Sequence, residues 1–232
     1  MRAAIVTPAT VSPARHNRRV NAADDQLGLF ADAPAPRDLP AGWDYRPDFI
    51  DADEEAALLA FIATLPLADA RYKGYTARRR VVHFGAAYDY DDHWLLPAPP
   101  LPAELASLRA NAAAWIGEAP EALANALVAE YRAGVPLGWH RDVPDYETVV
   151  GISLAGTARM RFRRYPPIAP KKVDVVSLEL APRSAYVLRA EARWGWQHSV
   201  APTPALRYSI TFRTRAARGG AQASRSSVGA RV

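Results

Sequence analysis

The sequence contains no cysteine, which excludes a disulfide framework, a thiolate metal site and a cysteine nucleophile. Any metal held by this chain must therefore sit on histidine and carboxylate ligands. The same absence fits a reducing compartment, and a cytoplasmic location is expected. Long hydrophobic runs are also missing: no stretch of roughly eighteen apolar residues occurs, so a membrane-spanning helix is not expected. The opening residues MRAAIVTPATVSPARHNRRV are broken by Pro, Arg and polar side chains, too interrupted for a secretory signal. A length of 232 residues suits one ordinary domain with some chain left over, without a second full domain. What is in excess is positive charge, with 29 Lys and Arg against 24 Asp and Glu. The formal charge of +5 favours a polyanionic partner, because lysine and arginine gain affinity by releasing counterions from phosphates.

Residues 1–42 are rich in Ala, Pro, Asp and Arg without a sustained period and read as a disordered arm. The tail 216–232, made of Gly, Ser, Ala and Arg, reads the same way. Between them, residues 43–215 carry the folding signals. Asp51 or Asp53 can cap a helix whose Leu58, Phe61, Ile62 and Leu65 follow the i, i+3, i+4, i+7 pattern, with Pro66 ending it. A second helix is expected from Pro102, with Leu105, Leu108, Ala112 and Trp115 on one stripe and Gly117 as its stop. From about residue 127 the texture changes to short β-like runs, among them 149–154, 159–163, 185–188 and 208–212. Two helices followed by closely spaced strands imply an α+β, β-rich fold: a jelly roll, or double-stranded β-helix, with the helices against one face.

His140-Arg141-Asp142 is the central chemical signal. In a strand, residues i and i+2 point the same way, so an imidazole and a carboxylate can converge on one ion. A His-x-Asp triplet is common by chance, but His198 follows just before another strand, and two histidines with one carboxylate make a facial triad. Such a triad leaves positions open at iron for an oxo acid and dioxygen; the same ligands could hold zinc for hydrolysis. The stretch Arg207-Tyr208-Ser209-Ile210-Thr211-Phe212-Arg213 bears on that choice. Period-two geometry puts Arg207, Ser209, Thr211 and Arg213 on one face, where two guanidiniums can clamp the carboxylates of a dianionic cosubstrate. Zinc hydrolysis does not require such a clamp, and the plain alternative is an edge strand with two solvated arginines.

Four motifs occur in order: Glu130-Tyr131-Arg132-Ala133-Gly134, Trp139-His140-Arg141-Asp142, Arg193-Trp194-Gly195-Trp196-Gln197-His198 and the 207–213 run. In order and spacing they resemble the AlkB family of nucleic-acid dealkylases across residues 43–215. The resemblance implies that His140, Asp142 and His198 bind Fe(II), and that Tyr131, Arg207 and Arg213 contact 2-oxoglutarate, with O2 as cosubstrate. Ser209 stands where the family commonly has Asn, and Ala129 where it has another; the serine hydroxyl can replace one amide contact. The implied activity is oxidative dealkylation of N-alkylated bases in DNA or RNA. The alternatives are a related oxygenase acting on a protein or small molecule, or an inactive nucleic-acid-binding module.

Candidate substrate residues come from aromatic and basic side chains near these motifs. The run from Arg78 to Tyr90 looks like the lid of AlkB relatives, where Arg79, Tyr88 and Tyr90 could meet a flipped base and its phosphates. Tyr72 and Tyr75 are weaker candidates. Trp139 could line the pocket, Asp145 could accept from an exocyclic amine, and Arg161 belongs to a basic stripe alternating with Met160 and Phe162. The ordinary reading of each is packing or solvation. His83 and His93 have no carboxylate at ligand spacing and are read as packing or surface histidines. In the arm, Gln26-Leu27-Gly28-Leu29-Phe30 resembles the pentapeptide by which bacterial proteins dock on the DNA polymerase sliding clamp. Packing of Leu27, Leu29 and Phe30 back on the domain is the alternative. No oligomer is indicated, and a monomer is expected.

Overall fold

A computed structural model describes residues 39–72, 75–168 and 174–217. The clamp-like residues Gln26–Phe30, most of the arm and the tail from 218 lie outside the described residues, as do the side chains of Tyr72 and Tyr75.

The chain is already packed at Leu39, a few residues before the expected start, and runs into β1 (Trp43–Arg46). Helix α1 (Ala52–Ala63) begins at Asp51, whose side chain accepts the amide of Glu54 at 2.8 Å, so Asp51 rather than Asp53 is the cap. It ends at Thr64, just ahead of Pro66. Helix α2 (Ala106–Ile116) follows a short 3-10 turn over Ala103–Leu105 and stops at Gly117, which adopts a left-handed conformation (φ 76°) that disfavours side chains. Leu58, Ile62, Leu105, Leu108 and Ala112 are buried, while Phe61, Leu65 and Trp115 are covered in part.

Thirteen strands are present among the described residues, the remaining ones being β2 (Ala68–Tyr72), β3 (Tyr75–Phe84), β4 (Ala86–Asp89), β5 (Trp94–Pro97) and β6 (Leu123–Tyr131). They continue with β7 (Leu137–His140), β8 (Tyr146–Leu154), β9 (Ala158–Arg164), β10 (Val176–Leu180), β11 (Ala185–Leu188), β12 (Trp196–Val200) and β13 (Arg207–Arg215). A one-turn helix α3 (Ala190–Trp194) precedes β12. The major sheet has the order β1-β11-β8-β13-β6-β3-β2 and the minor sheet β10-β9-β12-β7, all pairings antiparallel; β4 and β5 form a separate hairpin. This is the expected jelly roll. The helices cover one face of the major sheet, burying Val128, Val150, Ile152, Ile210 and Phe212. A second core, including Met160, Phe162, Leu180 and Trp196, joins the other face to the minor sheet.

Of the lid-like run, residues 78–84 belong to β3, paired with β6, and Arg80 makes a two-point ion pair with the buried Glu130 at 2.9 and 2.6 Å. Only the chain after Gly85, in the β4–β5 hairpin, stands apart from the large sheets.

Candidate active site

The two sheets hold between them a cavity of about 90 Å³, room for several water-sized groups. Its polar wall follows from strand alternation. On β6, Asn125, Leu127, Ala129 and Tyr131 share one face; on β13, Arg207, Ser209, Thr211 and Arg213 do; all line the cavity. The intervening residues Val128, Ile210 and Phe212 point into the helix-covered core.

His140 ends β7 and lies directly opposite His198 on β12, their ring centroids 4.2 Å apart. Asp142 follows two residues on, with its Oδ2 3.6 Å from His198 Nε2. One ligand atom from each of the three residues lies within 4.8 Å of the others. The His140 Nδ1–H donates to the Gly138 carbonyl at 2.9 Å, which fixes the ring and leaves Nε2 as the basic nitrogen. Burial lowers the pKa of both imidazoles, for His198 down to about 3, with Asp142 opposing the shift, so both are neutral and able to ligate near neutral pH. Burial would raise the Asp142 carboxyl, but Arg213, then the imidazoles and Arg193, outweigh it and hold the group ionised.

The two arginines of β13 are used differently. Arg213 donates from Nε to Asp142 at 2.8 Å and from one terminal nitrogen to Asn125 Oδ1 at 3.1 Å, and this pairing raises its pKa against burial. Arg207 is 2 % exposed, donates to Ser153 Oγ at 2.9 Å and lies 5.1 Å from the Tyr131 ring. It takes part in no ion pair among the described residues, and burial pulls its pKa down. A buried guanidinium facing a cavity without an acidic partner is a ready anion site. Tyr186, beside it, has its phenol pushed up to about 12 by burial. Gly151 lies under that ring: a Cβ there would meet it at 2.3 Å, so the floor of the cavity requires glycine.

Arg193 on α3 ties the two ligand segments together. One of its terminal nitrogens donates to the carbonyls of Val143 and Tyr146 at 2.6 and 2.8 Å, pinning the turn after Asp142 from the element that leads to His198.

The family model of the 2OG-Fe(II) oxygenase superfamily matches residues 51–213, which span helices α1 to α3 and the whole cavity. The chain belongs to that superfamily. That superfamily is named for 2-oxoglutarate and Fe(II), and the neutral histidines, the ionised aspartate and the buried Arg207, which has no ion pair among the described residues, fit those groups. Within the superfamily it is AlkB-like. It is 31 % identical over 177 residues to an Arabidopsis thaliana protein named alkylated DNA repair protein ALKBH8 homolog, covering 66 % of this chain and 49 % of that one. It is 33 % identical over 100 residues to the uncharacterized protein L905 of Acanthamoeba polyphaga mimivirus, covering 38 % and 46 %. The oxygenase thus spans about half the length of these curated relatives. In fold it matches the structure of OsALKBH1, with TM-score 0.60, 15 % identity and coverage of 77 % of this chain and 99 % of that one. It also matches a Pseudomonas putida prolyl-4-hydroxylase, with TM-score 0.53, 16 % identity and coverage of 75 % and 93 %.

Of the residues singled out in the sequence of this oxygenase, His140, Asp142, His198, Tyr131, Arg207, Ser209 and Arg213 meet at the one cavity, and Arg79, Tyr88 and Tyr90 line it too. Trp139, Asp145 and Arg161 do not line it. Trp139 and Arg161 alternate with inward-facing His140 and Phe162, so they occupy the outer face of the minor sheet. The cavity residues that the sequence reading missed include Asn125, Tyr186 and His83. Asn125 has the parity of Tyr131 on β6, a signal visible in the sequence; Tyr186 sits in an otherwise apolar strand with no local cue. His83, read as a packing histidine, lines the cavity near Arg79 and Arg213, with its pKa lowered to about 4 by burial and then by those arginines.

Proposed function

We propose that this enzyme removes alkyl groups from base nitrogens in nucleic acid. Bound iron and 2-oxoglutarate supply the oxidation of an unreactive C–H bond, with succinate and carbon dioxide as the cosubstrate's products. His140, Asp142 and His198 would hold the metal, and Arg213 would keep Asp142 oriented and ionised. Arg207, with Tyr131 beside it, would take a cosubstrate carboxylate, its desolvated charge making that contact stronger than a solvated one. Tyr186 and the apolar side chains around it would keep water from the reacting carbon. Hydroxylation of an N-alkyl carbon gives a hemiaminal that collapses to the free base and an aldehyde.

The observation that carries the nucleic-acid reading is the rim of the cavity. Tyr88 and Tyr90 meet edge to face with centroids 5.0 Å apart, and Arg79 and neutral His83, both on β3, line the same cavity. An aromatic pair with a nearby guanidinium suits a base taken out of its stack and the phosphate next to it. The relative named for alkylated DNA repair agrees in kind.

The test is incubation of purified protein with Fe(II), ascorbate, 2-oxoglutarate and oligonucleotides bearing 1-methyladenine or 3-methylcytosine. Succinate, formaldehyde and restored base should rise together and depend on all the additions. Succinate stimulated by a peptide or small molecule, with no restored base, would replace this substrate with the alternative one. The 26–30 segment is proposed as a sliding-clamp ligand, and a peptide of residues 22–34 should bind purified clamp.

A further inference from the structure

The outer face of the minor sheet carries a basic and aromatic array that the reaction at the cavity does not use. Register fixes its layout: Arg161 lies opposite Ser199 and Arg163 opposite Gln197, while His198 lies opposite both Phe162 and His140. Because Phe162, His198 and His140 point inward, Arg161, Arg163, Ser199, Gln197 and Trp139 point outward. The arginines are held in place by Nε bonds to Ser199 Oγ at 3.0 Å and Gln197 Oε1 at 2.8 Å. Both guanidiniums lie over the Trp139 ring, at 5.2 and 4.5 Å.

Neither Arg161 nor Arg163 takes part in an ion pair among the described residues, nor does Arg159 next along the strand. Of the acids on adjoining strands and turns, Glu191 is engaged with Arg164, and Glu179 lies opposite Arg159. The array also reaches the cavity. Arg141, a cavity residue, stacks over the exposed ring of Tyr165 at 3.6 Å, immediately after the end of β9. Fixed cations without acidic partners attract phosphates, and interleaved aromatic rings accept bases.

We propose that this face is a second binding surface, on which single-stranded nucleic acid is held outside the cavity while one of its bases enters it. The inference rests on the nucleic-acid reading for its biological sense, but its binding test does not need turnover. A sheet face with arginines spaced along one strand and both guanidiniums against one tryptophan suits an extended, flexible strand more than a duplex groove.

The experiment measures binding of a fluorescein-labelled oligothymidylate to the full chain by anisotropy across a salt series. The variants are Arg161→Gln with Arg163→Gln, and Trp139→Leu, each checked for folding by circular dichroism. Expected is a salt slope reduced by about 0.7 for each arginine replaced. Trp139→Leu should weaken binding about tenfold. Unchanged affinity and slope in folded variants, with wild-type protein still restoring alkylated bases, would overturn the surface and leave the reaction standing. Lost affinity in the variants, with no base restored by wild type, would keep the surface and remove the proposed reaction. Equal competition by a polyglutamate peptide, insensitive to Trp139→Leu, would show an acidic-polypeptide site and overturn the inference.

Discussion

The two faces of the major sheet are built from the same strands by opposite rules. The helix-covered face is mainly apolar, with Val128, Val150, Ile152, Ile210 and Phe212 at most 1 % exposed, and its one buried acid on β6, Glu130, is paired with Arg80. The cavity face of those strands buries Asn125, Ser209, Thr211 and Arg207 at 7 % exposure or less. Burying polar groups costs stability unless each finds a partner, so the first face is organised for folding and the second for binding. Substitutions should therefore separate the two: losses of stability on one side, losses of function on the other.

The largest effect is expected from the ligands. His140→Ala should abolish succinate formation, by about a thousandfold or more, while shifting metal-free stability by no more than about 1 kcal/mol. Asp142→Ala should lose turnover equally and also destabilise the fold by about 3 kcal/mol, because Arg213, whose side chain is 12 % exposed, would be left without its acid. Equal thermal stability of the two variants would break the assignment of Arg213 to Asp142. Next, Phe212→Ala on the apolar face should cost about 3–5 kcal/mol in chemical denaturation, with kcat of the remaining folded protein unchanged. Arg207→Met, only five residues earlier in β13, should do the reverse. It should raise the KM for 2-oxoglutarate about a hundredfold, with the melting temperature kept or raised.

The smallest effect concerns His83. Its folded pKa of about 4 lies below the ordinary 6.5, so between those values the unfolded chain binds a proton that the folded chain refuses. Stability should fall as pH drops through that window, by at most about 1.4 kcal/mol per unit from this residue, and His83→Leu should flatten the slope. An unchanged slope in urea titrations at pH 6.5 and pH 4.5 would place His83 in solvent.

The sequence was most legible where the cause is local. Asp51 caps its own helix, Gly117 ends one, and Ala185–Leu188 reads as a strand from its own residues. The site was legible because His140 and Asp142 are two apart and Arg207, Ser209, Thr211 and Arg213 share one parity. Elsewhere the deciding partner is distant in the chain. Arg80 reads as part of a basic lid until Glu130 is found opposite it across β3 and β6. Tyr186 becomes a site residue only when β11 enters the same sheet as β6 and β13. Parity also carried information that went unused: an inward His140 requires an outward Trp139, so the tryptophan could be assigned to the opposite face without any coordinates.

The clamp formed by Arg193 has a consequence for the protein's life in a cell. It joins the turn after Asp142 to the element ahead of His198, so the three ligands converge only when both segments are folded against each other. Iron should bind the native chain and not the unfolded one, adding about 2.7 kcal/mol at a hundred times its dissociation constant. Iron scarcity would then act twice, lowering the activity of each molecule and, through proteolysis of the less stable apo form, the number of molecules that survive.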